Sequence, residues 1–265
     1  MAHPREDRTR AIRHAWSAGR YPSLAPNLLP ATAHLIDAVG IDQEDVVLDV
    51  GCGTGNAAIT AGRRGATVLG VDIAADMVRV ARSGADLATV SDVAWAVADA
   101  QYLPVKDGAV DVAISNFGHI FAPDVDAATA ELLRSVHPGG RVGFTAWSPD
   151  GLVGDLAAVL GDHLAENPGD PWSFLAWGDP AHVRRRLDDT VDLSFQRRIA
   201  SFRYVSPAHF WREFAEESGP LTPVIKGMDD PDRRRRLRRA AIERLEDWFA
   251  DNAIGVEYTL VRGVA

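Results

Sequence analysis

Three aspartates and three glycines carry the first chemical signal in this chain of 265 residues. Asp49, Asp72 and Asp99 close or nearly close short apolar runs, "VVLDV", "TVLGVD" and "AWAVAD". Gly51, Gly53 and Gly55 follow the first acid at alternating positions in "GCGTG". A strand that hands over to a helix through such glycines lets a ligand lie against bare backbone. A dinucleotide fingerprint would need G-x-G-x-x-G, and position 56 is Asn. A phosphate-cradling P-loop would need Gly-Lys-Ser/Thr, and no lysine is near. An acid ending the second strand can accept both hydrogen bonds of a ribose diol. Asp99 is placed to reach an adenine amino group. Asp49, beside the loop, disfavours a diphosphate and suits an ammonium or sulfonium.

The elements that must position these residues alternate between strand and helix. Apolar spacing predicts helices over 5–18 and 27–40, joined by the irregular "GRYPSLAP". It then predicts strand 46–50, helix 55–64, strand 66–71, helix 75–83, strands 93–97 and 110–114, helix 124–136 and strand 141–146. "HPGG", His137 to Gly140, reads as a helix stop and a tight turn. This rhythm implies an α/β protein with a mainly parallel sheet covered on both faces. Beyond Trp147 the pattern changes: one or two short helices within 148–190, a strand over 191–204, mostly helix over 206–251, and a last strand over 255–263. The aromatics Trp172, Phe174, Trp177, Tyr204, Phe210, Trp211 and Phe214 suggest an apolar roof over the carboxyl ends of the strands.

Composition narrows the partners. The 46% apolar content is ordinary for a globular chain, and no apolar run reaches the ~20 residues of a membrane span. The charged start "MAHPREDRTRAIRHAW" lacks the apolar segment of a secretory signal, and the single cysteine, Cys52, excludes an internal disulfide. The chain is therefore expected to be cytoplasmic. A net charge of −9 argues against a nucleic-acid footprint. The basic run "DRRRRLRR", Asp232 to Arg239, reads as a solvated helix face: Leu237, Ala241, Leu245 and Trp248 form its apolar stripe, and Asp232–Arg236 and Arg239–Glu243 can pair. No His/Asp/Glu set has metal-ligand spacing, so no metal is expected.

"VLDVGCGTG" resembles the first motif of class I S-adenosylmethionine-dependent methyltransferases, and "GVDIAADM", "ADAQYLP", "VDVAISNFG" and "LLRSVHPGGRV" resemble its later motifs in order. The likeness covers about 10–150 closely. It extends more loosely to "AWGDPAHVRRRL" and "EYTLVRG", in the manner of the bacterial quinone and natural-product branch. It implies a Rossmann-like, mainly parallel seven-stranded sheet with helices on both faces, an antiparallel last strand and helical lid insertions. The implied layout is one domain, 1–265: helical cover 1–42, cofactor core 43–147, lid and substrate region 148–254 including one sheet strand, and final strand 255–265.

By that resemblance the cofactor is S-adenosyl-L-methionine. Gly51, Gly53 and Gly55 would lie against its methionine half, with Asp49 ordering the ammonium side. Asp72 would bind the ribose, Ile73 and Met77 would pack on adenine, and Asp99 would accept from its amino group, with an N–H from Ala100. The Asn116 carbonyl would face the methyl end, while Tyr21, with Trp16, would close over the cofactor. His119 is the first candidate for a general base, followed by His209 and Glu213. The expected reaction is methylation of a small apolar or aromatic metabolite at oxygen, carbon or nitrogen. The alternative is a cyclase-like enzyme that uses the sulfonium without transferring its methyl. A nicotinamide-dependent oxidoreductase is disfavoured by Asn56, and a macromolecular methyltransferase by the acidity and the aromatic cover.

Overall fold

The computed structural model describes residues 4–17, 21–163, 172–187, 190–217 and 221–265. Its strands are β1 (Val46–Val50), β2 (Thr67–Asp72), β3 (Val93–Val97), β4 (Val110–Asn116), β5 (Val136–Trp147), β6 (Asp192–Arg203), β7 (Phe249–Ala250) and β8 (Ala253–Val264). Its helices are α1 (Pro4–Ser17), α2 (Tyr21–Leu24), α3 (Leu29–Val39), α4 (Asn56–Gly62), α5 (Ala75–Leu87), α6 (Val125–Ser135), α7 (Leu152–His163), α8 (Pro180–Leu187), α9 (Pro207–Trp211), α10 (Leu221–Lys226) and α11 (Pro231–Glu246). The strands form one sheet in the order β3-β2-β1-β4-β5-β8-β6, with the short β7 pairing on β8. The first five strands are mutually parallel, and β8 runs antiparallel to both β5 and β6. The expected Rossmann-like α/β sheet with an antiparallel last strand is therefore present. Among the described residues no helix is long and apolar enough to cross a membrane.

The strand order reverses beside β1, which lies between β2 and β4, and open α/β sheets bind ligands where the order reverses. β1 sends Val47 into one core, and Leu48 and Val50 into the other, as a strand covered on both faces must. The first core takes Leu35 and Ile36 of α3 with Ala57, Ala58 and Ala61 of α4; the second takes Val71, Ala113, Val142 and Leu132 of α6. The small side chains of α4 let it sit close on the sheet, which brings its first turn within hydrogen-bond reach of Asp49. Chain geometry and core packing thus deliver the site to the carboxyl end of β1.

Several boundaries differ from expectation for local reasons. Residues 136–140 belong to β5: Val136 pairs with Val110, a register shift follows, and Arg141 pairs with Val112, so "HPGG" bulges within a strand. Gly40, in the left-handed region at φ 67°, stops α3, and a separate 3-10 turn precedes it over Ala25–Leu28. The start of "GRYPSLAP" lies outside the described residues, but Tyr21–Leu24 is helical. Within the segment read as helix, β7 and β8 form a hairpin whose turn residues Asp251 and Asn252 both have positive φ, the pattern of a type I′ turn.

The basic run lies on α11 as expected. Its Leu237, Ala241 and Leu245 are fully buried. Asp232, however, pairs with Arg235, and Arg236 reaches Asp230, whose carboxylate caps the helix by accepting from the N–H groups of Asp232 and Arg233. Burying the two leucines is worth about 3–6 kcal/mol, against about 0–1 for each exposed pair, so the stripe holds this helix.

Candidate functional site

A cleft opens over the carboxyl ends of β1 to β4. Its floor is Gly51 and Gly53 after β1, Asp72 at the end of β2 and Ile73 after it with Met77 of α5, Ala98–Ala100 after β3, and Asn116 at the end of β4 with Phe117 and Gly118 after it. Ile12 and Trp16 of α1, Tyr21 of α2 and Phe121–Pro123 cover it. A small polar annex beside it is lined by Tyr21, Asp49, Gly51, Cys52, Thr54, Asn56, Ala57 and Asn116.

The glycine loop is pinned by the N–H groups of Gly51 and Cys52, both donating to the Val71 carbonyl at 2.8 and 2.9 Å. Gly51 has φ 68°, and a Cβ there would lie 2.7 Å from the Gly118 Cα. The loops after β1 and β4 are therefore in backbone-to-backbone contact, which only two glycines permit. Phe117, next to this contact, is itself in the left-handed region at φ 59°, a conformation a bulky side chain rarely adopts. Its ring stacks on Trp147 with centroids 4.0 Å apart, a contact that helps hold it there.

Each acid has a distinct environment. Asp72 accepts from the Gly53 N–H through Oδ2 and the Ala74 N–H through Oδ1, both at 2.8 Å. Burial raises its pKa nonetheless. Asp99 accepts from the backbone N–H of Gln101 at 2.9 Å and from its amide at 3.0 Å. Asp49 is only 1% exposed; its Oδ2 accepts from the Ala58 N–H at 2.9 Å, while Oδ1 is buried without a partner. Burial pushes its pKa up to about 7, the Ala58 N–H opposes this, and Asp72 adds to it. The Asn116 side chain donates to Thr32 Oγ1 at 3.0 Å and accepts from Thr145 Oγ1 at 2.9 Å, so its backbone remains to face the cleft. The Tyr21 phenol is held well above its ordinary value by burial and then by Asp72 and Asp49.

The structure thus gathers Tyr21, Gly51, Gly53, Asp72, Ile73, Met77, Asp99, Ala100 and Asn116 around one cleft, with Asp49 in its annex. Gly55 does not line it. Its φ is 86°, and a Cβ there would meet Trp95 at 2.8 Å and Ala81 at 3.0 Å, so this glycine serves backbone geometry and packing. The roof is also corrected. Trp177, Tyr204, Phe210 and Trp211 are core residues, and Trp172, Phe174 and Phe214 pack partly buried against them; none lines the cleft. The cover comes instead from Trp16, whose ring meets Tyr21 at 5.3 Å and Phe121 at 5.2 Å. Phe121 and Gly118 carried no signal that spacing alone would single out.

His119 is the largest correction. The 3-10 turn His119–Phe121 aims the imidazole into the core, edge-on to Phe144 at 4.8 Å and Trp177 at 5.8 Å. It is 0% exposed, and neither ring nitrogen has a partner. A base must reach the proton it takes, and this ring lines neither the cleft nor the annex. His209 and Glu213 do not line the cleft either; Glu213 accepts from the Tyr204 hydroxyl at 3.0 Å. Burial pushes the His119 pKa down from 6.5 to about 3. Between those values the unfolded chain binds the extra proton, so stability falls with pH, by about 2 kcal/mol from pH 7 to pH 5. His119→Leu is expected to remove that share of the acid sensitivity, read as the difference in urea unfolding free energy at the two pH values. An unchanged difference would show that the ring is not held neutral.

Comparison with known proteins places the chain in a family. A methyltransferase domain family matches residues 47–140. An uncharacterised protein of Mycobacterium tuberculosis is 30% identical, over 97% of this chain and 96% of its own. The demethylmenaquinone methyltransferase of Thermobifida fusca is 31% identical over 59% of this chain and 71% of its own. Among solved structures, a methyltransferase candidate from Bacillus halodurans superposes with a TM-score of 0.63 at 16% identity, covering 89% of this chain and 98% of that one. The chain belongs to the S-adenosyl-L-methionine-dependent methyltransferases.

Proposed function

We propose that this enzyme methylates a small apolar or aromatic metabolite at an oxygen, carbon or nitrogen atom. The observation that carries the reading is the lining: the charged side chains of the cleft, Asp72 and Asp99, lie at the end of β2 and after β3, while Ile12, Trp16, Phe117, Phe121 and Pro123 line it with apolar surface. The residues fit the cofactor. An orphaned buried carboxylate oxygen on Asp49 suits an ammonium, and the glycine backbone leaves room for the chain that bears it. When bound, S-adenosyl-L-methionine supplies a methyl group already activated by its sulfonium.

The protein's share is then binding and alignment. Asp72 would accept from the ribose hydroxyls, Asp99 and the Ala100 N–H would hold the adenine, and Ile73 and Met77 would pack against it. Gly51, Gly53 and the Asn116 carbonyl would border the methionine half, and Tyr21 and Trp16 would exclude water from it. A low-dielectric enclosure favours reaction of an electron-rich acceptor with a cation, because charge is dispersed as the bond forms. Phe121, whose half-buried ring contacts those of Trp16 and Phe174, lines the same cleft and would border a flat acceptor bound there. The test is incubation with S-adenosyl-L-methionine and a panel of phenols, naphthols and aromatic amines, set against sugars and amino acids. S-adenosylhomocysteine should form with flat apolar acceptors. Turnover confined to the polar set would overturn the acceptor class, and conversion of a substrate without S-adenosylhomocysteine would favour the fixed-cation alternative.

A further inference from the structure

Asp49 differs from the other two acids of the site in one respect. Asp72 and Asp99 have both or several of their acceptor positions engaged by N–H groups, whereas Asp49 Oδ1 is buried and unpartnered. Among the described residues, the groups facing the annex come from five parts of the chain. Asp72 approaches from β2, the Cys52 thiol and Thr54 hydroxyl from the loop, the Tyr21 phenol from α2, Asn56 and the Ala58 N–H from α4, and Asn116 from β4. None of these is a cation. An ionised Asp49 would therefore sit out of water with one hydrogen bond and a second carboxylate nearby, an arrangement that strongly favours the neutral acid.

We infer that Asp49 is a protonatable selectivity residue: below neutral pH it carries a proton until an ammonium-bearing ligand enters the annex, and then releases that proton to solvent. The inference rests on the cofactor assignment above and adds a linkage to it. No covalent bond changes; one proton leaves Asp49 as one positive charge arrives. The raised value of about 7 places the exchange near neutrality. Below it, each pH unit costs about tenfold in affinity for a ligand with an ammonium, because the proton must first be removed. The demethylated product keeps the same ammonium, so the proton returns only as product leaves. Mild acid therefore weakens capture and hastens release together.

Titration calorimetry on the whole chain tests this with two ligands. S-adenosylhomocysteine has the amino-acid end; 5′-methylthioadenosine has the adenosyl part without it. Over about pH 5.5 to 7.5, affinity for S-adenosylhomocysteine is expected to rise about twentyfold. Repeating the low-pH titration in buffers of different ionisation enthalpy should show nearly one proton released. Affinity for 5′-methylthioadenosine should change less than about threefold over the same range, since its contacts leave Asp49 alone. Asp49→Asn, whose amide oxygen can still accept from Ala58, should bind S-adenosylhomocysteine with a flat pH profile. Three results would overturn the inference: a flat profile in the unaltered protein, equal slopes for both ligands (which would implicate Asp72), or a slope retained in the Asn variant. If the variant binds neither ligand, the comparison of ligands on the unaltered protein decides. Failure of the unaltered protein to bind S-adenosylhomocysteine at any pH would sink the cofactor assignment itself, a different result from pH-independent binding.

Discussion

Gly118→Ala is expected to weaken S-adenosylhomocysteine binding by about a hundredfold, or about 2.7 kcal/mol, although Gly118 has an ordinary backbone conformation. Its φ is −87°, which any residue accepts, so conformational freedom is not the reason glycine stands there. Space is. A Cβ on Gly118 would lie 2.6 Å from the Gly51 carbonyl oxygen, 2.7 Å from the Gly51 Cα and 2.7 Å from the Val50 carbonyl oxygen. All three are backbone atoms, so no side-chain rotation relieves the overlap. The carbonyl of Val50 also accepts from Ser115 Oγ at 2.6 Å, and that hydroxyl accepts from the His119 N–H at 2.9 Å, which ties the two loops further. The glycine loop must move, and it is the wall on which the methionine half rests. Overpacking of this kind costs about 1–3 kcal/mol, so the fold should survive with a lowered Tm. Gly161→Ala is the control: an added Cβ there meets nothing within 4 Å in α7, and helix propensity should raise stability by up to about 1 kcal/mol. Calorimetry and thermal unfolding on both variants check the pair. Binding by Gly118→Ala within about threefold of the unaltered protein would show that the loops tolerate separation.

That contact marks where sequence reading ends in this molecule. Asp49, Asp72 and Asp99 are legible because each ends an apolar run, and a parallel sheet brings strand ends to one edge. The glycines after β1 are legible as a loop, but not their separate tasks. Gly51 meets another loop and Gly55 meets Trp95, and both contacts depend on elements distant in the chain. His119 shows the same limit. One residue after Gly118, a tight 3-10 turn decides whether a side chain faces cleft or core, and no apolar period runs long enough there to tell. The aromatics between 172 and 214 are a question of partners, since Trp and Phe have the same spacing whether they roof a ligand or fill a core. The hairpin at 251–252 and the bulge inside β5 depend on pairing partners, β8 for the first and β4 for the second.

Asp72→Asn is the second large effect, and it separates two tasks of one side chain. The carboxylate supports the glycine loop through the Gly53 N–H and the start of α5 through the Ala74 N–H. An amide has one acceptor oxygen, so one of these two donors would face an NH2 group and lose its partner. A buried donor left unpaired costs about 1–3 kcal/mol. Against this, the substitution removes a buried charge whose pKa is raised. The folded form of such an acid holds its proton more firmly than the unfolded chain does, so its ionisation at neutral pH works against the fold. The two terms oppose each other, and Tm should move little. Binding has no such compensation. Hydrogen bonds from the ribose diol to a carboxylate are worth about 1.5–3 kcal/mol each, and an amide with its oxygen already engaged replaces neither well. Affinity should fall by about a hundred- to a thousandfold, and equally for S-adenosylhomocysteine, 5′-methylthioadenosine and adenosine, because all three share the ribose. Asp49→Asn, in contrast, should leave 5′-methylthioadenosine untouched. Isothermal titration of both variants with all three ligands therefore maps one acid to the sugar and the other to the amino-acid end. Loss of the ammonium-bearing ligand alone on Asp72→Asn would reverse that assignment.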